Sequence, residues 1–409
     1  MDRNLPLPLW RSLVILIGGG CVLWIALGVT FNLTLASYLP GAARALWPVG
    51  VTAKVVEARQ SLLAIPRASV ADIAASRSSL RAAALREPLN TDVLGTLAGL
   101  DEYQGDKDQA RRLFGLSEAV SRRNALTQMW LLEDAVSRGD IAGAVSHYDR
   151  AMRVSVDLRP ALLPVLATAA ENPEIGRVLS KTLAGRPLWW KDYLQLLGKS
   201  GTNASVMSAA LQATHPNPHD AEERVLAEQV LRRMIALKDE RGAVVVANRL
   251  QGHGGARRTL VGGTFESQDG LLPFAWWFQD EANIRAYRDV VPTGGLGLHV
   301  TTTDDTSGGA AQQLVGLAGG RYVIKGMVGG VSAQAGNRPM ITVNCLDGKL
   351  VGRFELPLSS DRTTRFAFPL NVPEAGCVTQ WINIVAAPIG DTDIWLDNLV
   401  IQQGNGLRS

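Results

Sequence analysis

The sequence predicts a multi-domain protein with a single N-terminal transmembrane helix, an all-α helical solenoid and a C-terminal all-β jelly-roll sandwich. Three observations predict this division. An uncharged apolar run lies near the N-terminus, residues with helical apolar spacing follow it, and short apolar runs separated by Gly, Pro and Asp fill the end of the chain. We expect the three parts to be residues 1–45, 46–255 and 256–409.

Charge and composition narrow the function classes. The 409 residues carry a net charge of +3 and are 46% hydrophobic, so the chain can bury a sizeable core. Residues 260–409 contain 10 Lys and Arg against 14 Asp and Glu, which leaves 31 against 24 for the rest of the chain. The basic front and acidic back favour separate domains, and the small net charge gives no indication of a nucleic-acid partner.

The N-terminal apolar run is long enough to cross a membrane. No charged residue occurs from Ser12 to Ala43, and the apolar part from Leu13 to about Leu35 fits a hydrocarbon core of about 30 Å. A cleaved signal peptide is the alternative, but its apolar region usually has about 7–15 residues. We therefore expect an uncleaved single-pass anchor.

The helical middle contains an internal repeat. Gly105-Asp106 is echoed 34 residues later by Gly139-Asp140. Units that start at residues 57, 91 and 125 share small and bulky positions at the same offsets, with a weaker match in the first unit. The matched residues are Ser76, Ala110 and Ala144, then Leu80, Phe114 and Tyr148, then Ala83, Ser117 and Ala151.

This spacing resembles the tetratricopeptide repeat. The resemblance implies a solenoid whose concave surface binds a protein partner. The alternative is a set of helices that only pack together and act as a spacer. After Pro160 the period fades, and we expect degenerate helical pairs up to residue 250, including one long amphipathic helix from Asp220 to about Leu237.

The C-terminal part predicts an antiparallel sandwich, because many short runs alternate between apolar and polar residues. We expect the first and last strands to lie side by side. The predicted strands are residues 260–266, 273–279, 284–291, 296–303, 312–317, 321–329, 339–346, 350–357, 363–370, 378–386 and 392–402.

The two ends of this region carry a recognisable pattern. It opens with a Gly-rich turn, Phe-Glu and a downstream Trp, and closes with an Asp-Asn pair followed by alternating apolar residues. The residues concerned are Gly263, Phe265, Glu266, Trp276, Asp397 and Asn398. The pattern resembles the jelly-roll carbohydrate-binding modules that are attached to glycoside-active enzymes.

The resemblance implies two kinds of site. In many such modules the glutamate and the aspartate share a structural calcium, so Glu266 and Asp397 are candidate metal ligands; a surface carboxylate pair is the alternative. Sugar binding uses exposed aromatic faces. Because adjacent strand residues point to opposite faces, Trp276 and Trp277 cannot both be core, and Trp277 and Trp381 are the candidate sugar platforms.

Two of the three cysteines, Cys345 and Cys377, lie near predicted strands of the sandwich. We expect a disulfide between them, with two free buried thiols as the alternative. A disulfide requires an oxidising compartment. This expectation places the N-terminus in the cytoplasm and the bulk of the chain in the periplasm, anchored in a bacterial inner membrane.

The sequence favours a non-enzymatic adaptor. It contains no nucleophile elbow, phosphate-binding loop or zinc-binding His-Glu-x-x-His motif. We expect a membrane-anchored scaffold that binds a polysaccharide and takes part in cell-surface polysaccharide assembly or export. The alternatives are a glycan hydrolase or lyase that uses the sandwich groove, and a structural module that binds only proteins.

Overall fold

A computed structural model describes residues 9–63, 69–252, 260–267, 270–303, 306–332, 337–360 and 362–404, with side chains from residue 17 onward. Contacts divide the chain into two compact units, Met1–Leu158 and Arg159–Ser409. The expected domain boundary at residue 255/256 lies outside the described residues. The three domain ranges therefore stay a prediction.

The first unit begins with the apolar helix α1, Leu9–Leu35, which is followed by the short α2, Pro40–Leu46. The segment Ile17–Leu35 is long and apolar enough to cross a membrane, and 11% of it is buried within the protein. Most of its apolar side chains are thus exposed. A signal sequence meets the same criterion of length and composition.

Helix hairpins follow α1 and α2. They are α3 (Thr52–Leu63), α4 (Val70–Arg86), α5 (Thr91–Tyr103), α6 (Lys107–Val120), α7 (Ala125–Ser137) and α8 (Ile141–Val154). Helices α5 and α7 begin at residues 91 and 125, and α6 and α8 at residues 107 and 141, so both steps are 34 residues. Membership in the tetratricopeptide family, and the solenoid itself, stay predictions.

The repeated Gly-Asp pair has a structural reason. Gly105 and Gly139 adopt φ angles of +86° and +70°, which glycine reaches without a steric penalty. The aspartates that follow cap the next helix: Asp106 accepts a hydrogen bond from the Gln109 backbone N–H at 3.3 Å, and Asp140 accepts one from Gly143 at 2.9 Å.

The second unit opens with six described helices. They are α9 (Arg159–Ala169), α10 (Pro173–Ala184), α11 (Trp190–Ser200), α12 (Ala204–Thr214), α13 (Ala221–Ala236) and α14 (Glu240–Leu250). The expected long helix is α13, whose cap is Asp220. Two carboxylates join these helices to the sandwich. Glu228 accepts from the Leu272 backbone N–H at 3.0 Å, and Glu240 accepts from the Thr379 hydroxyl at 2.7 Å.

The C-terminal part forms two antiparallel five-stranded sheets, as the sequence predicts for a β-sandwich. Sheet A has the order β1-β4-β9-β6-β7 and sheet B the order β2-β3-β10-β5-β8. The strands are β1 (Trp277–Phe278), β2 (Ile284–Val290), β3 (Leu296–Thr302), β4 (Gly309–Val315), β5 (Gly320–Gly329), β6 (Met340–Cys345), β7 (Leu350–Glu355), β8 (Thr364–Val372), β9 (Gln380–Val385) and β10 (Asp393–Gln403).

The predicted first strand, residues 260–266, is wrong. Gly262 and Phe265 have φ angles of +63° and +56°, so this segment turns instead of extending. It still runs beside the last strand, since the Leu399 N–H donates to the Gly263 carbonyl at 2.7 Å. The first and last true strands, β1 and β10, belong to different sheets.

Candidate functional site

The outer face of sheet A is set by alternation along its central strand, β9. Ile382 and Ile384 are fully buried in the core between the sheets. Trp381, Asn383 and Val385 therefore point outward, and each is half-buried. The other strands of sheet A present side chains to the same face according to their register with β9.

One row of side chains crosses all five strands of this sheet. Trp277 on β1 pairs with Gln312, which pairs with Asn383; Asn383 pairs with Thr342, and Thr342 with Arg353 on β7. Residues paired across antiparallel strands share a face. Four strand spacings of about 4.8 Å give the row a width of roughly 19 Å.

A second row places Trp381 between Leu314 and Asn344. Two amides beside Trp381 are held in place. The Asn383 side-chain nitrogen donates to the Thr342 hydroxyl at 3.2 Å and to the Asn344 side-chain oxygen at 3.3 Å. The face thus combines two indole rings with fixed hydrogen-bonding groups, which can receive the apolar side and the hydroxyls of a saccharide.

The two neighbouring tryptophans separate as alternation requires. Trp276 is 5% exposed and packs against Phe265, with ring centroids 5.6 Å apart. Trp277 is 39% exposed. Trp277 and Trp381, the two platform candidates, thus lie on the same face of the same sheet. Their contact with a ligand stays a prediction.

Glu266 and Asp397, the two metal candidates, converge on one turn. Glu266 is exposed and accepts a hydrogen bond from the Leu296 backbone N–H at 3.1 Å. Asp397 is 4% exposed and accepts one from the Thr293 hydroxyl at 3.3 Å. Gly295 makes room for the glutamate, because a Cβ atom there would lie 2.1 Å from a Glu266 carboxylate oxygen.

The electrostatics of this pair suit a cation. Burial raises the pKa of Asp397, and the charge of Glu266 raises it further, although hydrogen bonds from Asn398 and Thr293 oppose the change. Two carboxylates and a hydroxyl are oxygen ligands of the kind calcium prefers. No group of three or more His, Cys, Asp and Glu residues that fits a metal occurs in the described part of the chain. Calcium at Glu266 and Asp397 stays a prediction.

The predicted disulfide is confirmed. Cys345, the last residue of β6, is bonded to Cys377 in the loop before β9, and the two Cα atoms lie 5.2 Å apart. Because β6 and β9 are neighbours in sheet A, the disulfide ties the ends of two strands that carry the outer face.

Sequence reasoning missed the polar half of this face. Gln312, Asn344 and Asn383 lie within strands whose alternation is visible in the sequence, so their outward direction is predictable. Which of them stands beside which tryptophan depends on strand register. Register between distant strands is decided by packing rather than by local sequence.

Comparisons with known proteins found similar folds. No family model and no curated protein matches the chain. A solved structure described as a CBM4, a carbohydrate-binding module, covers 36% of this chain and 99% of its own, at 18% identity and a TM-score of 0.28. A CBM61 in complex with beta-1,4-galactotriose covers 36% of this chain and all (100%) of its own, at 15% identity and a TM-score of 0.27.

A third similar structure is the enzymatically active domain of bacteriophage CBA120 tailspike protein 4. It covers 36% of this chain and 22% of its own, at 13% identity and a TM-score of 0.27. Binding modules and an enzyme domain therefore both occur among the similar structures. At these identities and TM-scores the similarity says nothing of a ligand, and the function must be inferred from the surfaces themselves.

Proposed function

We propose that the sandwich binds a polysaccharide chain across the outer face of sheet A. The observation that carries this proposal is the common face of Trp277 and Trp381, with the hydrogen-bonded amides of Asn344 and Asn383 beside Trp381 and with Gln312 on the strand between the two tryptophans. An indole ring packs against the C–H face of a sugar ring, and amides exchange hydrogen bonds with its hydroxyls. Several sugar units can lie along a face roughly 19 Å wide.

In this proposal the protein is a non-enzymatic scaffold. The apolar helix anchors it as a single-pass protein of a bacterial inner membrane, and the disulfide-bonded bulk of the chain lies in the periplasm. The helix hairpins bind a protein partner. The assembly holds a polysaccharide near the membrane during cell-surface polysaccharide assembly or export.

The proposal is tested with the full chain in lipid nanodiscs, because detergents with sugar head groups would compete for the site. Affinity gel electrophoresis in neutral glucan, galactan and xylan and in acidic alginate and hyaluronan measures retention. We expect at least one polymer to retain the protein without becoming shorter. Trp277→Ala and Trp381→Ala each weaken that retention about tenfold, since an anchoring aromatic side chain commonly contributes more than ~1 kcal/mol.

Tyr103→Ala is the matched control, because Tyr103 is an aromatic side chain on α5, outside the sandwich, and is 47% exposed. This variant should be retained like the wild type. Absence of retention on every polymer contradicts the proposal. Shortening of the polymer during incubation would instead favour a glycan hydrolase or lyase.

A further inference from the structure

The outer face of sheet B, opposite the face described above, carries a row of aromatic side chains. Tyr287 on β2 pairs with His299 on β3, His299 pairs with Trp395 on β10, and Trp395 pairs with Gly329 on β5. The row spans four neighbouring strands, which is about 14 Å for three spacings.

This row points away from the core. Its strand neighbours Ala286, Val300 and Ile394 are paired with one another and are buried between the sheets. Tyr287 is 36% exposed, and His299 and Trp395 are half-buried beside one another. Packing in the core explains why the inward residues are apolar. It does not explain why the outward residues are aromatic.

The three rings form a strip on neighbouring strands. Tyr287 and His299 are stacked, with centroids 5.6 Å apart and planes 20° apart. The indole of Trp395 lies over Gly329, since a Cβ atom at that glycine would be 2.3 Å from the indole nitrogen. Gly329 thus leaves room for the indole to lie against the sheet, where Trp395 stays partly exposed.

A polar row runs beside the aromatic strip on the same face. Arg285 pairs with Thr301, and Thr301 with Asp393. The Arg285 guanidinium carbon lies 5.9 Å from the Tyr287 ring centroid, and its Nε atom donates to Asp280 at 3.1 Å. The surface therefore offers flat apolar rings with a donor, a hydroxyl and a carboxylate along one edge.

This combination matches one class of ligand. A saccharide has an apolar C–H face for the rings and hydroxyls that both donate and accept along its edge. A nucleic acid also stacks on rings, but residues 260–409 contain more acidic than basic residues, 14 against 10, which would repel its phosphates. Asp280 already balances the charge of Arg285, and Asp393 adds a negative charge, so the surface favours an uncharged sugar unit over an acidic one.

We propose that Tyr287, His299 and Trp395 form a second saccharide-binding surface on sheet B, independent of the surface on sheet A. This inference rests on the proposed function for the class of ligand only. The outer faces of two packed sheets point in opposite directions. One sandwich therefore holds two polysaccharide chains, or two distant parts of one chain, on its two sides.

The experiment compares four full-length proteins in nanodiscs: the wild type, Trp277→Ala/Trp381→Ala, Tyr287→Ala/Trp395→Ala, and the combination of all four changes. The probe is an oligosaccharide released from whichever polymer retains the wild type, measured by isothermal titration calorimetry. We expect two molecules bound per chain in the wild type, one in each double variant and none in the combination.

Three further variants separate binding from folding. Trp395→Phe keeps a smaller ring and should weaken the second site less than the Tyr287→Ala/Trp395→Ala change does. Val400→Ala changes an outward residue of the same strand that is 38% exposed and should bind like the wild type. Tyr287→Ala alone, on an edge strand, should weaken the second site about tenfold. Each variant must retain the wild-type melting temperature.

The outcomes distinguish the two proposals. One bound molecule in the wild type, unaffected by Tyr287→Ala/Trp395→Ala, overturns the second surface and leaves the first in place. Two molecules in that variant overturn it as well. Failure of every polymer to retain the wild type overturns both. Complete loss of polymer retention in the Trp277→Ala/Trp381→Ala variant, with the second surface unchanged, also overturns the second surface.

Discussion

Asp397 shows how a single residue joins the fold to its candidate chemistry. Asp397 lies on an outward position of β10. It is nevertheless only 4% exposed, because the turn that contains Thr293 covers it. The residue after it, Asn398, has a φ of +53°, and the pairing of β10 with β5 shifts between Asp397 and Val400. This bulge turns Leu399 into the core, where simple alternation would place it outside.

Calcium at Glu266 and Asp397 is testable through stability. We expect calcium to raise the melting temperature of the wild type, because a ligand that binds the folded state at 100 times its Kd adds about 2.7 kcal/mol. The Glu266→Gln and Asp397→Asn variants should lose this rise. Differential scanning calorimetry of the full chain with calcium or with a chelator measures it.

Asp393→Asn is the control for the calcium experiment, since Asp393 is an exposed carboxylate on the same strand. It should keep the full effect of calcium. An equal rise in Glu266→Gln and the wild type would exclude the proposed ligands.

At the scale of elements, buried aspartates form ion pairs with arginines of the neighbouring helix hairpin. Arg111 on α6 donates to Asp134 on α7 at 2.9 Å, and Arg138 donates to the other carboxylate oxygen at 3.0 Å. Arg77, 34 residues before Arg111, donates to the buried Asp101 on α5. The repeat thus reuses one arginine position to reach a buried acid on the next helix.

The Asp134 contact predicts a pH dependence. Burial acts against the charge of Asp134, but hydrogen bonds from Arg111 and Arg138 outweigh it and hold the pKa below its ordinary value. The contribution to stability is therefore complete above the unfolded pKa of about 3.9 and is lost as the pH falls through the lower folded pKa.

We expect Asp134→Asn to destabilise the helical unit by about 1 kcal/mol at neutral pH. The difference from the wild type should shrink as the pH falls below about 4. Hydrogen exchange of α6 and α7 amides in urea measures both quantities. Asp108→Asn is the control, because Asp108 pairs with the same arginine at 3.7 Å but its side chain is 84% exposed. A constant difference at all pH values would refute the assignment.

At the scale of the whole molecule, our proposal assigns the N-terminal helix the role of holding the proposed binding surfaces near a membrane. Its segment Ile17–Leu35 satisfies the length and composition of a membrane span. The confirmed disulfide requires oxidising conditions, which agrees with our proposal that the sandwich lies outside the cytoplasm.

The anchor is tested by charge. Ile25→Arg/Leu27→Arg places two arginines in the centre of the apolar segment, at a cost of about 2.5–3.5 kcal/mol each. We expect the variant to leave the membrane fraction after an alkaline carbonate wash, while the wild type stays. Leu89→Arg, at a site 73% exposed on the helical unit, should behave like the wild type.

Mass spectrometry of the mature wild-type chain completes this test. We expect residues 17–35 to be present. Their absence would show that the segment is a cleaved signal peptide.

The sequence by itself determined most strands of the sandwich and which side chains of each strand point into the core. Local alternation and the Gly and Pro residues between the runs predict eleven strands, and ten of them are present in the structure. Strand formation and the direction of each side chain depend on nearby residues, which is why a local pattern predicts them. The same reasoning predicts the disulfide and the opposite directions of Trp276 and Trp277. The predicted strand at residues 260–266 is wrong because Gly262 and Phe265 adopt left-handed conformations that local alternation does not reveal, and Phe265 packs in the core against Trp276.

Only the tertiary structure decided which side chains share a surface. Trp277 and Asn383 are brought together with Gln312 between them by the register of β1, β4 and β9. The aromatic row on the opposite face arises in the same way from β2, β3 and β10. Register between strands far apart in sequence is set by how both faces pack, and no local pattern in the chain encodes it.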